Sequence, residues 1–162
     1  MGKRHLRTVF GRFATGVTVV TFERDSEVYG MTVNSFSSVS LEPPLVLFCP
    51  SIHCRFAHQA ELGSLFTISI LRRDQHDVCL HFAGRPCLDR SPWEPEDQLP
   101  PVVRESLAYL RCELVALHPH GDHLVAVGRV LEAQADEVGD PLLFYAGGYP
   151  VLESATPLVE NG

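Results

Sequence analysis

Between positions 32 and 40 the chain places Thr32, Asn34, Ser35, Ser37, Ser38 and Ser40, interrupted only by Val33, Phe36 and Val39. Small hydroxyls and a carboxamide at a strand-to-loop transition, with backbone N–H groups beside them, can hold phosphate and polyol groups without bulky obstruction. The competing account is a Ser-rich loop whose hydroxyls bond its own backbone in ST-turns. Composition leaves both open. A second cluster, Cys49, His53, Cys54 and His58, lies in CPSIHCRFAH. Structural zinc sites pair a C-x2–4-C with a second pair downstream, and no C-x2-C occurs here, so the cluster is expected to line a turn and a helix start and to hold no metal. Eight His and many Ser make chance Ser/His pairs inevitable, yet no G-x-S-x-G elbow accompanies them. No G-x-G-x-x-G follows a strand and no P-loop is present, which removes the Rossmann and Walker nucleotide sites.

The elements that must position these residues belong to a chain of 162 residues, 45% hydrophobic and 20% charged, with a net charge of −7. That size and balance fit one globular domain over 1–162, with a core from about residue 7 to 149 and no repeat or dividing linker. The negative charge argues against nucleic acid and anionic membranes as partners. No basic-then-apolar leader opens the chain and no apolar run approaches the roughly 20 residues of a membrane span. Five irregularly spaced cysteines then read as free thiols of a cytoplasmic protein.

Leu6, Val9, Phe10 and Phe13 recur at helical spacing, which predicts an amphipathic first helix. GVTVVTF and VYGMTV flank the turn ERDSE and predict a hairpin over 16–33. The polar run then links this hairpin to LVLFC, expected as a strand buried on both faces. HCRFAHQAEL is expected as a short helix and LFTISIL as a strand. Asp74 is the expected N-cap of DQHDVCLHFAG, with Gly84 just past its end. RPCLDRSPWEPEDQLPP, residues 85–101, is too rich in Pro and charge for regular structure and is expected to cross the surface. LAYLRCELVALH and HLVAVGRVLEAQ are two long strands joined at HPHGD. DPLLFYAGGYPVLES ends the fold in a strand or turn, and 153–162 is a frayed tail. The pattern is mainly β with short helices, which favours an antiparallel barrel.

FGRFATGVTVVT, GMTVNSFSSVSLEPPLVLFCPS, GDHLVAVGRV and DPLLFYAGGY occur in an order that resembles the flavin reductase family, from about Arg7 to Tyr149. The resemblance implies an FMN-binding split β-barrel, usually dimeric, that binds FMN or FAD and takes hydride from NADH or NADPH. Many members are the reductase component serving a separate flavin-dependent monooxygenase. It implies that Thr32, Val33, Asn34 and Ser35 run along the flavin ring and ribityl chain, with Ser38 near the same cofactor. Cys49, Pro50 and Ser51 would face the flavin, and Arg55 would supply positive charge to its phosphate, although Cys54 and Phe56 stand where hydroxyls are common. Phe82 and Ala83 would be cofactor-adjacent. His123, Gly147, Gly148 and Tyr149 would flank the nicotinamide, with His123 positioning it. Such a site needs no protein acid or base, because the cofactors carry the hydride chemistry and the protein supplies position and electrostatics.

Overall fold

The computed structural model describes residues 2–94 and 100–153. Seven strands form one antiparallel sheet: β2 (Thr18–Arg24), β3 (Glu27–Val33), β4 (Ser37–Leu41), β5 (Pro44–Phe48), β6 (Leu65–Ile70), β7 (Ala108–His120) and β8 (His123–Ala135). Their order is β3-β2-β6-β7-β8-β5-β4. The two edge strands, β3 and β4, are consecutive in the chain and only residues 34–36 join them. Four residue steps span at most about 14 Å, so the sheet must curl until its edges nearly meet. The result is a split barrel, and the polar segment from Asn34 to Phe36 crosses the split.

The β2–β3 hairpin forms as expected, turning at Asp25 and Ser26, both with positive φ (54° and 63°). The polar run is more structured than expected. Ser37–Leu41 is an edge strand paired with β5, bulged between Ser38 and Ser40. An edge strand meets a partner on one side only, so it tolerates serines that a central strand would not. β5 is not buried on both faces: Val46 and Phe48 are buried while Leu45 and Leu47 are half-buried, the alternation of a strand with one face inward.

Inside the barrel Phe22, Phe48, Phe56 and Phe66 meet edge to face at centroid distances of 5.2–5.9 Å. Phe56, on α2 (Arg55–Gln59), is fully buried among them. The turn IHCRF therefore spends Phe56 on the core.

The outer faces of β2 and β6 explain the second half of the long excursion. Val19, Thr21, Thr67 and Ser69 point away from the barrel yet are buried, because the chain returns over them. Thr21 Oγ1 donates to the Pro101 carbonyl at 2.6 Å, and Thr67 Oγ1 donates to that of Pro100 at 2.7 Å. Ser69 Oγ accepts from the Val103 N–H at 3.0 Å. The stretch 85–101 is thus not wholly a surface excursion. It ends in buried prolines and continues into buried Val102 and Val103, while residues 95–99 lie outside the described residues.

α3 (His76–Phe82) begins at Gln75, not at Asp74, and no side chain caps it. Gln75 reaches back to accept from the Arg72 N–H at 2.9 Å, which holds the turn that Asp74 was expected to cap. Gly84 follows the helix with φ 89°, and the Arg85 N–H bonds the Leu80 carbonyl, a Schellman ending. Phe82 packs into the space left at Gly30, where a Cβ would come within 2.6 Å of its ring, and stacks on Trp93 at 5.1 Å.

α1 (Lys3–Phe10) is amphipathic as expected, but none of its residues is buried, and Val9, Phe10 and Phe13 remain exposed. It is held by its C-terminal end: the Ala146 N–H donates to the Gly11 carbonyl at 2.8 Å. There the chain's two ends form a small ladder, β1 (Thr15–Gly16) with β9 (Leu143–Phe144). Beyond β9 the chain turns tightly at Ala146 (φ 49°) and Gly147 (φ 83°), with Tyr145 and Gly148 exchanging both backbone bonds at 2.9 Å. Of the expected frayed tail only Glu153 is described; 154–162 lie outside the described residues.

Candidate functional site

Many of the residues singled out by sequence fall into two groups in space, and the rest are scattered. The first is stapled together by backbone bonds. Ser35 Oγ accepts from the Cys49 N–H at 2.9 Å, fixing the end of β5 against the split. The tip of the β7–β8 hairpin then pairs with the same segment: the Leu124 N–H donates to Pro50 and the Ile52 N–H donates to Asp122, with Ser51 and His123 directly opposite. In an antiparallel pair flanked this way, facing side chains lie on one side at close approach. Ser51 and His123 are therefore neighbours, though 72 positions separate them. Asp122 Oδ1 sits 2.8 Å from His123 Nδ1, which directs Nε2 away from the turn. That hydrogen bond also holds the Asp122 carboxyl below the usual carboxylate range.

The second group surrounds a hollow of about 180 Å³ beside α3, lined by Thr32, Asn34, Cys79, Ala83, Phe144 and Tyr149 together with Val17. Thr32 Oγ1 donates to the Cys79 carbonyl at 2.7 Å. The Tyr149 hydroxyl lies 3.4 Å from Cys79 Sγ, and its ring packs edge-on against His76 at 4.4 Å. The contact with Cys79, and then burial, pushes the Tyr149 phenol up to about 12. Burial pushes the Cys79 thiol up as well. Both groups are neutral near pH 7, a thiol and a phenol sharing one proton contact.

The remaining residues are turned elsewhere. The Val33 side chain packs into the barrel core, leaving only its backbone toward the split. Arg55 lies over the Tyr29 ring at 4.7 Å. Phe82 is held between Gly30 and Trp93, while Ser38 is exposed on β4. Gly147 lines a larger cleft of about 640 Å³, shared with Asn34, that runs between α1 and the closing turn. Sequence reasoning had assigned no role to α1 beyond packing, nor to Thr15, Cys79 or Phe144. Thr15 and Phe144 do lie within the motifs FGRFATGVTVVT and DPLLFYAGGY, whereas α1 and Cys79 carried no ligand signal.

A family model described as Flavin reductase like domain matches residues 10–153. The chain belongs to the flavin reductase family. It is 44% identical over 155 residues to an NADH-dependent flavin reductase of Rhodococcus sp, covering 92% of this chain and 86% of that protein. It is 42% identical over 147 residues to the reductase component of 4-hydroxyphenylacetate 3-monooxygenase of Thermus thermophilus, covering 91% and 95%. Among solved structures, an NADH:FAD oxidoreductase of Streptomyces globisporus in complex with NAD and FAD fragments superposes with a TM-score of 0.84 at 35% identity, covering 93% of each chain.

The residues present suit a flavin. Thr15 Oγ1, on the wall of the larger cleft, is buried with no hydrogen-bond partner among the described residues, the state of a hydroxyl that awaits one. Asn34 is exposed at the split, and Phe144 with the Tyr149 ring supplies an apolar flank. A flat ring with a polar rim and a polyol tail asks for that mixture of surfaces.

Proposed function

We propose that this protein is an NADH:flavin oxidoreductase that reduces FMN or FAD and supplies the reduced flavin to a separate monooxygenase. The likeness to NADH-dependent flavin reductases over nine-tenths of the chain carries the proposal. Bound flavin would supply the two-electron acceptor and NADH the hydride. The protein's part is to hold the two rings stacked with the reacting atoms about 3–3.5 Å apart. Asn34 and the backbone of Ser35 would bind the flavin rim and stabilise negative charge on it. Thr32, Cys49, Pro50, Ser51 and Ala83 would shape its bed, with Thr32 and Ser35 acting through the backbones they fasten. His123, oriented by Asp122, would position the nicotinamide from the hairpin tip, with Gly147, Gly148 and Tyr149 opposite.

A homodimer fits this surface. The edge strand β4 exposes Val39 and Leu41, the latter 92% accessible, beside unpaired backbone groups, which is an invitation to pair. Light scattering of Leu41→Lys would report a monomer where the parent is a dimer. Cytoplasmic residence suits the NADH requirement and the five free thiols. Among the described residues no helix is long and apolar enough to cross a membrane.

The deciding experiment follows NADH oxidation by the purified protein with no flavin, with FMN and with FAD. Turnover that saturates with added flavin supports the proposal. Tight flavin binding without NADH oxidation would replace it with a carrier role.

A further inference from the structure

The cleft between α1 and the closing turn has a charge at odds with the rest of the molecule. The chain carries −7 overall, yet the cleft is lined by Arg4, Arg7 and Arg12 and by no Asp or Glu. Five arginines elsewhere are neutralised: Arg24, Arg72, Arg73, Arg111 and Arg129 each have a carboxylate within ion-pair distance, while Arg55 lies over the Tyr29 ring. Among the described residues Arg4, Arg7 and Arg12 have none. Among the described residues the Arg12 guanidinium donates only to the Tyr145 hydroxyl, at 3.4 Å. Three uncompensated guanidinium groups on one wall repel each other, and a bound polyanion removes that repulsion.

Three further features tell which anion. The volume, about 640 Å³, accommodates a nucleotide and not merely an inorganic ion. Phe10 and Phe13 stand 68% and 77% exposed beside the arginines, an apolar pair against which a purine can stack. The cleft is also continuous with the hydride-transfer site as proposed above, because Asn34 and Gly147 line it at that end.

We infer that this cleft is a dinucleotide subsite that takes a pyrophosphate on Arg4, Arg7 and Arg12 and an adenine against Phe10 and Phe13. Its orientation rests on the reductase reading, but its chemistry does not. FAD and NADH both carry an ADP moiety, so either can be the occupant. The buried Thr15 hydroxyl offers a further donor at the foot of the cleft.

ADP serves as a probe that needs no turnover. Calorimetric titration should show ADP binding to the parent protein, adenosine binding far more weakly, and Arg4→Gln/Arg7→Gln/Arg12→Gln weakening ADP about tenfold or more, since charge-assisted bonds are worth more than a neutral pair and each tenfold is one such increment. Circular dichroism on the triple variant, whose changes are all on the surface, checks that it is folded. ADP that fails to bind the parent, or binds the folded variant equally well, overturns the inference. Steady-state kinetics then separates the sources. A rise in the FAD-to-FMN ratio of KM values assigns the cleft to the flavin's adenylate; a rise in the ratio for NADH over reduced nicotinamide mononucleotide assigns it to the hydride donor. ADP binding lost in the variant, in a protein that never oxidises NADH, would keep the subsite and discard the reductase.

Discussion

Two polar strips of similar composition lie on this barrel and do opposite things. One, on β2 and β6, consists of Thr21, Thr67 and Ser69; all three are buried, and each is matched to a backbone group of residues 100–103. The other, at the split, consists of Thr32, Asn34, Ser35 and Ser38. There, among the described residues, only the Thr32 and Ser35 side chains are bonded, to α3 and to the end of β5, while Asn34 stays exposed. The first strip is a fastening for a loop. The second is half fastening and half open surface, and the open half is what a ligand can use. Hydroxyl content alone does not separate the two; burial and the identity of the partner do.

Substitutions can break this contrast. Thr21→Val keeps the shape but leaves the Pro101 carbonyl buried without its partner, which should cost about 1–3 kcal/mol. At roughly 2–4 °C per kcal/mol, the fall in Tm is readily seen by calorimetry. Asn34→Ala should do the reverse, leaving Tm nearly unchanged while flavin affinity falls about tenfold, the worth of one good hydrogen bond to a ligand. Equal flavin affinity in that variant, by fluorescence titration, would remove Asn34 from the site. Thr67→Val should be milder than Thr21→Val, about 1 kcal/mol or less, because the Pro100 carbonyl also accepts from Arg111 at 2.9 Å. Equal losses for the two threonines would show that Arg111 does not compensate.

The smallest effect concerns Tyr149. Its phenol is raised from 10.0 to about 12, so between those values the folded protein retains a proton that the unfolded chain has released. Stability from this group is present below about pH 10 and lost as pH climbs toward 12. Tyr149→Phe should flatten that stretch of the stability curve and remove a late-titrating tyrosine from the ultraviolet absorbance titration. An unaltered tyrosinate titration would contradict the contact with Cys79.

Most of the framework was legible because it rests on local rules. Alternation marked β2, β6, β7 and β8, and the Asp25–Ser26 and Gly121–Asp122 turns fell where polar residues interrupt apolar runs. The largest misses come from contact between distant segments. Pro100 and Pro101 read as surface because their carbonyls' partners, Thr67 and Thr21, are 33 and 80 residues away. Asp74 was the better cap by residue type, yet the helix started after Gln75, whose side chain closes the preceding turn. Ser37–Leu41 was hidden because an edge strand need not be apolar. Motif resemblance singled out Cys49–Ser51 and His123, and the hairpin pairing sets these two segments side by side. The arginines of α1 escaped notice because helical periodicity highlighted the apolar face and their meaning depends on what the closing turn sets opposite them.

The ladder joining β1 to β9 has two pairs, Thr15 with Phe144 and Gly16 with Leu143, continued by the Val17 N–H to the Leu142 carbonyl and by a bond from Ala146 to Gly11. Elements held by so few bonds open at a small fraction of the free energy that global unfolding requires. One wall of the cleft therefore rests on a short two-stranded pairing outside the seven-stranded sheet, and it is expected to open ahead of the barrel. A reductase that must surrender its product gains from that arrangement, because the cleft wall can open locally while the buried phenylalanine core behind it stays packed.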